Sequence, residues 1–288
     1  MPQNSRLSII RAMHLKVQAP LMPGSIPSDS GKQWQVSKRK GGLRMSPEFK
    51  RQGALKDPAS YPAWLQQVLH ETSDARKLIV GHQIFAGMRD ATLNAREFSA
   101  FFVNGWPVVE QFPQYMAMNL LKARFGRSEG EDMARRYLTR NIRVEQNHAE
   151  YWVDWAAVHD VSKDKLLQAD GPPAAFALSH WCWTGGSMDQ LASSMAATNY
   201  AIEGVTGDWA TLVCSTPSYE ESFPPPIRKK AMRWLKLHAH YDDAHPWEAL
   251  DIIATLLGSK PEKKSVDDVR NSILTSFSYF KASLDCCL

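Results

Sequence analysis

From residue 60 onward, apolar residues recur every three to four positions, and that period predicts helices along most of the remaining chain. Trp64, Leu65, Val68 and Leu69 mark a helix over 60–73; Leu78, Ile79, His82, Phe85 and Met88 mark a second over 74–89. An aromatic-rich stretch over 92–124 carries Phe98, Phe101, Phe102, Trp106, Phe112 and Tyr115, and Pro107 and Pro113 are expected to kink or divide it. Ser128-x-x-Glu131 reads as a capping box. It opens a helix that runs to about Val158 through Met133, Tyr137, Leu138, Ile142, Trp152 and Trp155. A short helix or turn covers 162–168, and Pro172-Pro173 starts another helix that ends near Thr184-Gly185-Gly186. Ser187-x-x-Gln190 is a second capping-box pattern, followed by Leu191, Met195, Tyr200 and Glu203, with Gly204 and Gly207 loosening that helix before Trp209. Residues 215–226 read as a loop, 227–244 as a helix, and Pro246 opens 247–258. Ser265-x-x-Asp268 starts a last helix with Val266, Val269, Ile273, Phe277 and Phe280 on one stripe. No segment alternates with period two between hairpin turns, and no internal repeat is evident. The expected fold class is all-α: one domain over 58–288, about seven to nine helices packed as a bundle.

Charge divides the chain. Residues 1–56 hold eleven Lys/Arg against Asp29 and Glu48, a net +9; the remainder holds 23 basic and 28 acidic groups, a net −5. The mildly acidic body argues against a nucleic-acid-binding surface. Residues 1–57, rich in Ser, Gly, Pro, Lys and Arg, read as a basic, unstructured N-terminal extension. No run of about 18 apolar residues exists, so no membrane span is expected. An apolar fraction of 44% with ten Trp fits a globular body. Cys182, Cys214, Cys286 and Cys287 include no C-x-x-C pair, which reads as a reducing, cytoplasmic setting.

The chemistry concentrates in a few places. His238, Asp242 and His245 stand at i, i+4 and i+7, a spacing that on one helix turns three side chains to within about 60° of one another. Two imidazoles and a carboxylate on one face suit a divalent metal and leave coordination positions open. Upstream, Glu145 and His148 form a carboxylate–imidazole pair at i, i+3, with Trp152 and Trp155 following on the same side. A polar pair beside indoles suits a metal site in a bundle interior, where the ion satisfies the charges and the aromatics exclude water. Glu203 is a lone acid in the apolar text Ala201-Ile202-Glu203-Gly204 and a further carboxylate source. A ferritin-like di-iron site needs two Glu-x-x-His pairs and this chain has one, while the His-Glu-x-x-His string of zinc hydrolases is absent.

The combination of Glu145-x-x-His148, Glu203 some 55 residues later, and His238-x3-Asp242-x2-His245 another 35 on, resembles the haem-oxygenase-like di-iron oxidases and oxygenases. These belong to the wider superfamily of TenA (thiaminase II) and PqqC-like proteins. Asn199-Tyr-Ala-Ile-Glu203-Gly and His245-Pro-Trp-Glu-Ala-Leu are similar too, and the resemblance covers roughly residues 60–283. It implies a haem-oxygenase-like helical bundle holding two Fe(II) ions, the second often labile. Glu145, His148 and His238 would hold one ion, Asp242 and His245 the other, and Glu203 would ligate or bridge. Trp152, Trp155 and Tyr200 would line a substrate pocket. The implied activity is O2-dependent oxidation of a small amine, amino acid or carboxylate, by N-oxygenation or oxidative C–C cleavage, in specialised-metabolite biosynthesis. Its partners would be that small molecule, O2 and an external electron donor, and a homodimer is common on this scaffold. Two rivals share the fold. A metal-free TenA- or PqqC-like enzyme of the thiaminase type needs a Cys nucleophile, whereas Cys182 and Cys214 read as buried structural thiols. A non-catalytic binding or regulatory protein would use the basic extension, against which the acidic body argues.

Overall fold

A computed structural model describes residues 54–187, 190–241 and 244–288; residues 1–53, the greater part of the expected basic extension over 1–57, lie outside the described residues, as do Met188, Asp189, Asp242 and Asp243. Helix α1 (Ala63–Val80) runs further than its apolar pattern suggests and stops at Gly81. His82 then caps α2 (Gln83–Arg89) by accepting the Ile84 amide. Asn94 and Glu97 form a reciprocal capping box that opens α3 (Ala95–Lys122). This helix contains Pro107 and Pro113 and is not divided by them. A proline inside a helix costs about 3 kcal/mol. The buried Phe101, Phe102, Trp106, Phe112 and Tyr115 along the same helix offset that cost through packing.

Ser128 caps α4 (Glu129–Glu145), but Glu131 bonds the Arg124 amide at 2.7 Å instead of returning to Ser128, so the predicted box is half formed. The helix expected to reach Val158 breaks at Gln146-Asn147, and α5 spans His148–Val158. Ser162 caps the short α6 (Lys163–Gln168). A 3-10 turn over Pro173–Phe176 leads into α7 (Ala177–Ser187). Ser187 ends that helix, donating to the Thr184 carbonyl at 2.7 Å, and does not cap the next one. Next come α8 (Leu191–Met195), a π-helical turn (Ala196–Tyr200) and α9 (Ala201–Cys214), which passes through Gly204 and Gly207 intact. The stretch read as a loop holds α10 (Ser218–Glu221), and α11 spans Pro225–Tyr241. Helix α12 (His245–Leu257) ends at Gly258, whose φ of 70° belongs to the left-handed region that glycine tolerates. Helix α13 (Lys263–Asp285) starts two residues ahead of the predicted Ser265.

The chain is all-α, with no strand among the described residues, and those residues form one compact unit. Helix α9 lies at its middle, against α1, α2, α11 and α12. Between α2, α3, α5, α9 and α11 sits an indole-rich core. Trp209 stacks on Phe85 at 4.5 Å and on Trp234 at 5.3 Å, while Trp152 meets Trp234 edge-on at 4.9 Å. Offset and edge-on aromatic pairs add about 0.5–1.5 kcal/mol each beyond their buried area. The helices touch closely where side chains vanish: a Cβ on Gly105 would stand 2.8 Å from the Trp152 ring. Ahead of α1, the Lys56 amide donates to Asp251 and the Tyr61 hydroxyl bonds the same carboxylate, tying the start of the described chain to α12. No helix among the described residues is long and apolar enough to cross a membrane.

Candidate metal centre

Glu145 is the last residue of α4 and His148 the first of α5, so the carboxylate–imidazole pair straddles a helix break. Their side chains touch, Glu145 Oε2 against His148 Nδ1, and both residues are buried. Glu203 arrives from α9, one turn after the π-helical turn. Such a turn adds a residue and rotates the following helix by about 100°. Here the result is a carboxylate only 6% exposed. Its Oε1 accepts from Asn199 Nδ2 at 3.0 Å, and Oε2 lies 3.4 Å from the Tyr137 hydroxyl. Burial first, then the Glu203 and Glu248 carboxylates, push the Tyr137 phenol well above its ordinary value, so it stays a donor.

His238 and His245 do not share a helix. Helix α11 is described to Tyr241, and His245 is the first residue of α12. The i, i+4, i+7 argument therefore fails for His245, and Pro246 lies in the first turn of the new helix. Lacking an N–H, proline suits the first turn of a helix and not its interior. His245 nonetheless lies in the same region, its Nδ1 3.8 Å from Glu203 Oε2. Asp242 lies outside the described residues.

His238 is held on two sides. Its ring stacks on Trp234 at 3.7 Å, and its Nδ1 lies 2.8 Å from the Trp234 carbonyl, one turn back. A carbonyl only accepts, so Nδ1 carries a proton, and in the neutral ring it is Nε2 that offers the lone pair a metal ligand needs. The His238 ring faces that of His148 at 4.7 Å.

Glu145, His148, Glu203 and His238 line one cavity of about 50 Å³, walled also by Val109, Phe112, Ile202, Thr206 and Trp234. Two buried carboxylates on one cavity are costly without a cation to balance them. Carboxylate oxygens beside imidazole nitrogens are a donor set suited to iron and similar divalent ions. The residues present thus fit an iron site in chemistry and burial. Among the described residues, however, no three His, Cys, Asp or Glu side chains are gathered around one point; the donors stand as the pairs Glu145–His148 and Glu203–His245. Sequence reading missed Trp234, Asn199, Tyr137 and Thr206. Two of these were legible, since Trp234–His238 and Asn199–Glu203 are i, i+4 pairs on helices.

The residues assigned to a substrate pocket separate. Trp152 lines an apolar chamber of about 70 Å³, with Phe101, Val108, Trp209 and Leu284, that shares Val109, Thr206 and Trp234 with the carboxylate–imidazole cavity. Trp155 is fully buried in the aromatic core, its indole N–H donating to Tyr219 at 2.7 Å. Tyr200 lines a cleft on another side of α9, where its hydroxyl meets Arg76 at 3.3 Å.

Residues 99–274 match a haem-oxygenase-type family model described as iron-containing redox enzyme. The chain is similar to a solved TenA homolog from Pseudomonas syringae pv. tomato, at 53% identity and a TM-score of 0.80, over 83% of this chain and 98% of that one. It shares its fold with a TenA homologue from Pyrococcus furiosus (14% identity, TM-score 0.62, 78% of this chain and 100% of that one). It does so too with a domain of unknown function with a heme oxygenase-like fold from Shewanella denitrificans (12% identity, TM-score 0.62, 77% of this chain and 91% of that one). No curated protein matches.

Proposed function

This chain belongs to the haem-oxygenase-like family of iron-containing redox enzymes, and on that footing we propose that it is a non-haem iron oxidase that uses O2 on a small organic substrate. The observation that carries this reading is the meeting of Glu145, His148, Glu203 and His238 on one buried cavity that adjoins an apolar chamber. Glu145, His148 and His238 would hold one Fe(II); His245, with Asp242, would hold a second, and Glu203 would ligate or bridge. Iron bound there supplies a redox-active Lewis acid able to pass electrons to O2. The chain's own residues do the rest. The Trp234 carbonyl fixes the His238 tautomer, Asn199 orients Glu203, and Tyr137 keeps a proton beside the same carboxylate. Phe112, Ile202 and Trp234 exclude water from the cavity wall.

Within the proposed substrate range, the lining favours a molecule with an apolar body. Its polar group would sit by the iron ligands and its hydrocarbon part in the chamber lined by Phe101, Val108, Trp152 and Leu284. The metal-free hydrolase alternative is weaker. It needs a reactive thiolate at the cavity, whereas burial pushes the Cys182 thiol up out of the ordinary range and the Cys214 thiol up to about 11.

Anaerobic reconstitution with Fe(II) tests the proposal. The wild-type chain retains iron after desalting and consumes O2. Glu145→Ala and His238→Ala lose both while keeping their helical circular dichroism. Variants that kept full iron content would refute the ligand assignment, and a wild-type chain retaining no iron would refute the function.

A further inference from the structure

The apolar chamber is walled on one side by the C-terminal turn. Cys287 lines the chamber, while its neighbour Cys286 lines an open cleft on the outer face, together with Arg96, Val103, Lys165 and Gly171. Asn104 lines both spaces. Between this cleft and the chamber stand the Asn104 side chain and the turn that follows α13.

That partition is thin and softly held. Asn104 Nδ2 donates to Cys287 Sγ at 3.4 Å, and the thiol donates to the Ser283 carbonyl at 3.4 Å. Sulfur is a weak donor and acceptor, so both bonds yield at little cost. Burial pushes the Cys287 thiol up to about 12, which leaves it neutral and the seal uncharged. The last residue is tethered by Arg96, whose Nη2 donates to the Leu288 carbonyl at 3.1 Å. Elsewhere the chamber is bounded by residues of helices, the large Phe101, Trp152 and Trp209 beside the smaller Gly105, Val109 and Thr206. Moving any of these rings disturbs the aromatic core; moving the C-terminal turn disturbs two sulfur hydrogen bonds, the Arg96 tether and the backbone bonds of Cys286 and Cys287 to Ala282 and Leu284.

We propose that substrate reaches the carboxylate–imidazole cavity through the cleft at the C-terminal turn, with Asn104 and Cys287 as the gate between cleft and chamber. The proposal rests on the function assigned above. It makes Asn104 and Cys287 determinants of access and of substrate girth, with no part in the chemistry.

The test uses the full chain, reconstituted with Fe(II) and kept anaerobic so that nothing turns over. The probe is 8-bromooctanoate, whose bromine quenches the fluorescence of Trp152, Trp209 and Trp234 as it fills the chamber. N-ethylmaleimide on the half-buried Cys286 plugs the cleft and slows the stopped-flow association rate by about tenfold or more. In Cys286→Ala, where Cys214 still reacts, the same reagent leaves the rate unchanged. Cys287→Ala and Asn104→Ala trim the gate and raise the rate about three- to tenfold, with iron content unaltered. A labelled chain that binds the probe at the unlabelled rate overturns the proposal, as does an equal slowing in Cys286→Ala. Iron content is read on the same samples. Loss of iron with the rate pattern intact would overturn the oxidase reading alone, and the converse would overturn only the access route.

Discussion

His238 shows how a single residue is prepared before any ion arrives. The Trp234 indole fixes the plane of its ring, and the Trp234 carbonyl fixes its tautomer. Glu203 is prepared in the same manner by Asn199, which is itself bonded by Asn119 Nδ2 at 3.2 Å. Groups that orient metal ligands typically govern 10- to 100-fold in affinity, on the order of 1–3 kcal/mol. Asn199→Ala should therefore weaken iron retention against a chelator by about tenfold or more while leaving helix content intact. Retention equal to wild type would show that Glu203 is held without Asn199.

At the scale of elements, the centre depends on interruptions. The break between α4 and α5 separates Glu145 from His148, the π-helical turn precedes Glu203, and the restart at Pro246 carries His245 on α12. How closely the helices approach then fixes the distances among these groups. Helix α4 is clamped to α12 by the Arg140–Glu248 ion pair and by Gly130, where an added Cβ would stand 2.9 Å from both the Leu256 side chain and the Leu256 backbone nitrogen. A backbone cannot yield as a side chain does. Gly130→Ala should thus cost about 1–3 kcal/mol by urea unfolding. Gly186→Ala, facing only the flexible Met118 side chain at 2.9 Å, should cost clearly less. Equal costs would mean that the two helices part freely.

Over the whole molecule, the dense aromatic interior makes stability fall in acid. His159 stacks on Phe98 at 3.8 Å and bonds the Tyr219 hydroxyl at 2.7 Å. Burial lowers its pKa from 6.5 to about 4, against a smaller opposing pull from Asp160. Above pH 6.5 the ring is neutral in both folded and unfolded chains and contributes no pH dependence. Between 6.5 and about 4 only the unfolded chain takes up the proton, so folded stability drops as the pH falls, and below about 4 the loss is complete. From pH 7 to pH 5 this group should remove about 2 kcal/mol. His159→Gln should shrink the difference in unfolding free energy between those two pH values by a similar amount. An unchanged difference would assign the acid sensitivity elsewhere, His82 being the next group with a pKa lowered by burial.

The order of apolar and polar residues determined an all-α chain, because a period near 3.6 is a local property that any stretch displays by itself. The spacing of Glu145, His148, Glu203 and His238 likewise marked donors of one chemistry. What the tertiary structure alone decided is where helices stop and what each side chain meets. Pro107 and Pro113 ride inside α3 because buried aromatics outweigh the cost of each proline. Tyr200, one residue in the same motif as Glu203, turns to Arg76 and an outer cleft instead of the cavity. Trp155 is spent on the core, and Trp152 reaches the chamber. Those outcomes depend on contacts between residues far apart in the chain, and no local pattern encodes the energy of a contact whose partner lies a hundred positions away.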